Sequence, residues 1–236
     1  MKPTAKTYSE LQLAYDTFNA KLFDSALPEC LITLQREKRA FGYFSAERFA
    51  NLSGDKTDEI ALNPSYFAVV PLVEIMQTLV HEMTHLWQHH HGKPGRGRYH
   101  NTEWADKMEV VGLMPSSTGQ PGGQRTGDHM ADYPIEDGPF LQVCCDLLTQ
   151  DFKISWYDRF ASARHVQSGQ NSFALTLDLP DGVANVAALE GVEMVSGASN
   201  KSNRSKYTCA CEINVWGKPS LNIVCGDCGK SFSEQL

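Results

Sequence analysis

The sequence predicts an α+β fold with a small cysteine-rich module near its C-terminal end, and three observations carry that prediction. Residues 71–92 repeat their apolar side chains at helical spacing and hold two histidines four apart; short β-rich stretches come before this run; and two pairs of cysteines lie in the last 28 residues. A chain of 236 residues accommodates a main domain and a small appendage. The expected organisation is a first domain at 1–112, an irregular α/β extension with a small β component at 113–197, and a cysteine module at 198–236.

The first element opens at Thr7, where Thr7 and Glu10 have the spacing of a capping box, and Leu11, Tyr15, Phe18 and Leu22 recur at helical spacing until Leu27-Pro28. Residues 31–34, 40–44 and 58–63 read as strands, with Gly42 thinning the second and Asn63-Pro64 turning the chain into the next helix. In that helix Leu72, Ile75, Met76, Leu79, Met83 and Leu86 form the apolar stripe, and Gly92-Lys93-Pro94-Gly95 stops it. A further helix carries Trp104, Met108 and Val111 on its apolar side and ends at Gly112. Residues 113–140 are rich in Gly, Pro, Ser and Thr and read as a long loop holding Asp128, His129 and Tyr133. Phe140 opens a short apolar helix with Cys144 and Cys145 inside it; 154–157 and 172–179 read as strands; 196–205 reads as a polar linker.

The chemistry concentrates in His81-Glu82-Met83-Thr84-His85. Histidines four apart on a helix project from one face, so both imidazoles can hold one metal ion while the intervening Glu82 reaches toward a water on that ion. His100 follows beyond a Gly/Pro/Arg loop and can return as a third ligand, which leaves an open position for water. Strands beside such a helix fit a zincin-like α+β arrangement, in which an edge strand holds an extended peptide. Two rivals exist for the third ligand. His91, the last of three consecutive histidines, stands six residues after His85, but Gln88 occupies the place where a turn-making Gly would be needed. Glu103 lies one turn from His100 and is assigned to orienting a ligand histidine. Tyr99 and His129 are candidates to stabilise an oxyanion.

Ala40-Phe41-Gly42-Tyr43-Phe44, Glu59-Ile60-Ala61-Leu62-Asn63-Pro64, the His/Glu motif and His100-Asn101-Thr102-Glu103-Trp104 resemble the SprT-like family of metallopeptidases, which includes Spartan-type DNA–protein crosslink proteases. The likeness spans about residues 7–112, together with a C-terminal cysteine cluster that many members share. In that family the third His opens a His-Gly-Pro-Glu-aromatic signature, and here Asn101-Thr102 replaces Gly-Pro. The resemblance implies that His100 completes the metal site and that the substrate is protein or peptide, some of it DNA-associated.

Cys209-Ala210-Cys211 and Cys225-Gly226-Asp227-Cys228-Gly229, thirteen residues apart, have the pattern of a zinc ribbon, although the first pair has one spacer residue instead of two. Four thiolates would hold a structural Zn²⁺, so two zinc ions are expected, one catalytic and one structural. Seven cysteines without a secretory signal suit a reducing, cytoplasmic setting, and no apolar run is long enough for a membrane span. A net charge of −7 opposes a broad nucleic-acid surface. Lys93, Arg96 and Arg98, and Lys201, Arg204, Lys206 and Lys218 around the cysteines, restrict DNA binding to weak contacts with single-stranded or distorted DNA, with Trp216 available for stacking if it is exposed rather than core. The competing functional expectation is a zinc-containing, nucleic-acid-associated or transcription-related regulatory module without peptidase activity. Glu82 argues for an enzyme, because a purely structural three-His site needs no carboxylate beside its first ligand.

Overall fold

The computed structural model of the chain describes residues 1–37, 40–149, 152–161, 172–180, 183, 194–195 and 204–235. The chain divides into two compact units, Met1–Ser196 and Gly197–Leu236. Of the expected linker, residues 196–203 lie outside the described residues, as does Lys201 of the basic set.

The first unit is a mixed α/β arrangement. Helix α1 (Pro3–Leu22) begins with proline in its first turn, where the missing N–H costs nothing and the fixed φ already suits a helix. It therefore starts four residues before Thr7, and the expected capping box does not form. The Thr7 hydroxyl donates to the Pro3 carbonyl at 3.1 Å, and the Glu10 carboxylate instead accepts from the Ser155 backbone N–H at 2.9 Å and from its hydroxyl. Strands β1 (Leu31–Leu34), β2 (Gly42–Ala50) and β3 (Lys56–Leu62) form a sheet in the order β1-β3-β2, parallel between β1 and β3 and antiparallel between β3 and β2. β2 is thus an edge strand. Its register shifts between Ser45 and Phe49, where Glu47 takes a left-handed φ of 47° and donates its N–H to Asp58 at 2.7 Å.

Helix α2 (Leu72–His91) lies against β2 and β3, and α3 (Thr102–Val111) packs on α2. Gly42 lets α2 approach β2: a Cβ there would stand 2.8 Å from the Ala61 carbonyl and 2.9 Å from a Thr78 methyl. The core joins Leu11, Tyr15 and Phe18 of α1 to Met76, Leu79 and Met83 of α2 and Trp104 and Met108 of α3. Each such side chain contributes about 1.5–3 kcal/mol by leaving water. Asn101 caps α3 by accepting the Trp104 N–H at 3.1 Å, and Gly112 ends it with a φ of 96°, in the left-handed region glycine favours.

The stretch after Gly112 is not a loop throughout. It pairs β4 (Leu113–Ser116) with β5 (Ala131–Pro134) antiparallel and continues into α4 (Pro139–Thr149), whose Phe140 and Cys144 enter the core of the same unit. Residues 154–157 are not a strand, because the polar groups of Ser155 bond to Glu10 of α1 rather than to a neighbouring strand while Ile154 is buried. Phe173–Thr176 form a 3₁₀ turn where alternation suggested a strand; Ser172 caps it by accepting the Ala174 N–H at 3.2 Å.

The second unit is a three-stranded antiparallel sheet, β7-β6-β8, from β6 (Ser205–Thr208), β7 (Asn214–Gly217) and β8 (Ser233–Gln235). Tyr207 is its buried aromatic residue, and its hydroxyl donates to the Lys218 carbonyl at 2.6 Å; Trp216 is 62% exposed. No helix among the described residues is long and apolar enough to cross a membrane.

Candidate active site

Helical periodicity places His81 and His85 on one face of α2, and the capped start of α3 brings His100 back to them. One ring nitrogen from each of the three lies within 4.8 Å of the others, and the Nε2 atoms of His85 and His100 are 3.1 Å apart. Trp104, fully buried, supports the cluster: its ring centroid is 5.0 Å from His81, 5.4 Å from His85 and 4.4 Å from His100. The expectation that Trp104 is core holds, and the same ring also packs against all three imidazoles.

The outward nitrogens are engaged by acceptors. His81 Nδ1 lies 2.7 Å from the Asp132 carboxylate, and His100 Nδ1 lies 3.1 Å from the Gly127 carbonyl. A backbone carbonyl accepts, and a carboxylate oxygen accepts from an imidazole N–H, so in each pair Nδ1 is the donor and Nε2 is the nitrogen left for a metal. Gln77 donates to the Asp132 backbone carbonyl at 2.9 Å and ties β5 to α2. The other Asp132 carboxylate oxygen is buried without a hydrogen-bond partner. Asp132 is the residue that reading the sequence missed; it stands among the Gly-rich residues three places from His129 and one from Tyr133, and no motif marks it.

Electrostatics prepares this donor set. Burial and the neighbouring His81 push His85 well below the ordinary imidazole range and lower His100 to about 4, so both are neutral at physiological pH, as ligation requires. For His81 burial works downward, but the hydrogen bond to Asp132 and the charges of Glu82 and Asp132 outweigh it and raise the group. Glu82, 6% exposed, is raised to about 7, chiefly by burial; Asp132 adds to the rise, and His81 and the Phe44 backbone N–H oppose it. The last contact puts the Glu82 carboxylate beside edge strand β2.

The rivals fall elsewhere. His91 is exposed and contacts the Ala26 carbonyl at 3.0 Å. Glu103 orients no ligand histidine: its carboxylate accepts from Gln88 at 2.9 Å and from the Lys93 N–H at 2.6 Å, which pins the turn after α2. Tyr99 and His129 are exposed, and Tyr133 packs against Phe173 with ring centroids 4.8 Å apart.

The sequence model of the SprT-like family matches residues 11–122, which contain the three histidines, Glu82 and the strands beside them. The chain belongs to the SprT-like family. That membership associates this SprT-like chain with metallopeptidase-like function. A relative, an uncharacterized protein in the mucB 3′ region of Salmonella typhimurium, is 63% identical over 59 residues, covering 25% of this chain and 80% of the relative. No solved structure matches the chain.

In the second unit Cys209, Cys211, Cys225 and Cys228 converge with their sulfurs within 4.8 Å of one another, including 2.8 Å between Cys209 and Cys211 and 3.6 Å between Cys211 and Cys225. Each pair sits in a turn ending in a left-handed residue, Glu212 (φ 64°) after the first and Gly229 (φ 67°) after the second. A one-spacer pair thus reaches the cluster because Glu212 adopts the conformation that glycine supplies in the other turn. The backbone N–H groups of Cys228 and Asp227 lower the Cys225 thiol to about 7, which favours the thiolate a metal needs.

Proposed function

We propose that this chain is a zinc-dependent metalloendopeptidase with a zincin-like catalytic domain, acting on protein or peptide substrates that include DNA-associated proteins. The observation that carries the reading is the convergence of the His81, His85 and His100 nitrogens beside a buried Glu82. Three imidazoles, two of them with Nδ1 already bonded to an acceptor, are a donor set suited to Zn²⁺ and leave room for a water. Bound there, zinc would lower the pKa of that water and polarise the scissile carbonyl. Glu82, raised to about 7, takes a proton from the attacking water and delivers it to the leaving amine. Edge strand β2, whose Phe44 N–H reaches Glu82, offers backbone groups on which an extended peptide can align. Cys209, Cys211, Cys225 and Cys228 hold a second, structural zinc in a ribbon, in the reducing cytoplasm. The weak DNA contacts come from the exposed Lys93, Arg96 and Arg98 of the first unit and Arg204, Lys206 and Lys218 of the second; Lys206 pairs across the strands with exposed Trp216.

The test is to incubate purified full-length protein with a DNA-bound protein substrate, with and without free DNA, beside Glu82→Gln. Cleavage by the wild type alone is expected. Equal cleavage by the variant, or none by either protein with zinc supplied, would exclude the proposal.

A further inference from the structure

The last turn of α2 carries a second group of metal-binding side chains that the peptidase reading does not use. Asp58 on β3 and His89 and His90 on α2 present ligand atoms that all lie within 4.8 Å of one another. His90 Nε2 is 2.7 Å from one Asp58 carboxylate oxygen, and the other accepts the Glu47 N–H at 2.7 Å. Asp58 is 5% exposed while both histidines are exposed. The carboxylate is thus fixed from beneath by the β2 bulge, and the imidazoles close over it from the solvent side.

We propose that Asp58, His89 and His90 bind a divalent late-transition-metal ion of the Zn²⁺ class at a site separate from the His81 cluster. Two imidazoles and one carboxylate are the donors such ions prefer, whereas Ca²⁺ and Mg²⁺ take oxygen ligands. Tetrahedral bonds of about 2.1 Å place ligand atoms roughly 3.4 Å apart, so the 2.7 Å His90–Asp58 pair must widen while His89 adjusts to the same spacing, movements that rotation of the two exposed imidazole rings supplies. Without metal, a proton bridges His90 and Asp58; the ion takes its place and leaves a coordination position to water. An ion here ties the end of α2 to β3, whose Asp58 also holds the Glu47 N–H of the β2 bulge, and His89 packs near Phe44 of β2 with ring centroids 5.8 Å apart. This site depends on no assignment of the His81 cluster.

The experiment titrates metal-stripped full-length protein with Zn²⁺ against a chelating indicator, for wild type, Asp58→Asn, His89→Ala/His90→Ala and His81→Ala, with circular dichroism as the folding control. Asparagine still accepts the Glu47 N–H, so Asp58→Asn isolates ligation from folding and decides the matter if the double variant does not fold. Loss of one Zn²⁺ equivalent, or a tenfold or greater weakening of one, in Asp58→Asn and the double variant supports the site. Stoichiometry and affinity equal to wild type in a folded Asp58→Asn overturn it. His81→Ala reports on the peptidase site alone: an unchanged Zn²⁺ count there counts against that reading and leaves the Asp58 site standing.

Discussion

Replacing Glu82 by glutamine should do two opposite things: abolish turnover and stabilise the metal-free fold. The carboxyl is raised from 4.5 to about 7, mainly because burial penalises its charge. A raised acid binds its proton more tightly in the folded state, so its ionisation costs stability progressively as pH rises from about 4.5 through about 7. Holding the proton from 4.5 up to about 7, at about 1.36 kcal/mol for each tenfold change in proton affinity, puts the full cost near 3 kcal/mol. Glutamine carries no charge yet can accept the Phe44 N–H, so the variant escapes the penalty without orphaning that donor. For a unit of this size 1 kcal/mol moves Tm by about 2–4 °C, so metal-stripped Glu82→Gln should melt roughly 6–12 °C above wild type at pH 7.5. At pH 5, where the wild-type carboxyl is largely protonated, the gap should shrink to a few degrees. Scanning calorimetry in the presence of a chelator reads both. A variant that melts no higher than wild type at pH 7.5, or a gap that does not narrow in acid, would refute the claim that a buried, reluctantly ionised carboxylate stands beside the histidines.

Asp132→Asn keeps an acceptor for His81 Nδ1 but removes the charge, and should weaken metal binding by about 10–100-fold with the circular dichroism spectrum unchanged, as measured by chelator competition. Gly42→Ala drives a methyl against the Ala61 carbonyl and Thr78 and should destabilise the first unit by about 1–3 kcal/mol in urea titration; an unchanged midpoint would mean that α2 does not press on β2. Trp216→Ala should reduce affinity for single-stranded DNA by about 1–3 kcal/mol in fluorescence anisotropy at ~50 mM salt, with no such loss if the indole does not stack on bases.

The parts legible in the sequence are those in which an element declares its own geometry. His81 and His85 could be paired because the helix fixes what i and i+4 do, and the end of α3 could be placed because Gly112 is suited to the positive φ found there. His100 was reachable from its residue type, its spacing and the family resemblance. The misreadings share one cause, which is that a partner distant in sequence satisfied a polar group first. Glu10 looked like half of a capping box but bonds to Ser155, 145 residues away; the alternation at 172–179 suggested a strand, but the Ser172 hydroxyl donates to Glu74, 98 residues away. Trp216 was open between a core role and an exposed one until the folded sheet left it at the surface and buried Tyr207 instead, a residue the sequence did not single out. Asp132 is the sharpest instance. It lies 51 residues from His81, on a four-residue strand interrupted by proline in itself and in its partner, so neither alternation nor motif spacing identifies it. Yet its carboxylate sets the His81 tautomer and adds to the rise of Glu82. A motif specifies the atoms that meet the metal because they share one helix; the groups that hold those atoms in the right protonation state come from wherever the fold returns, and only the folded chain names them.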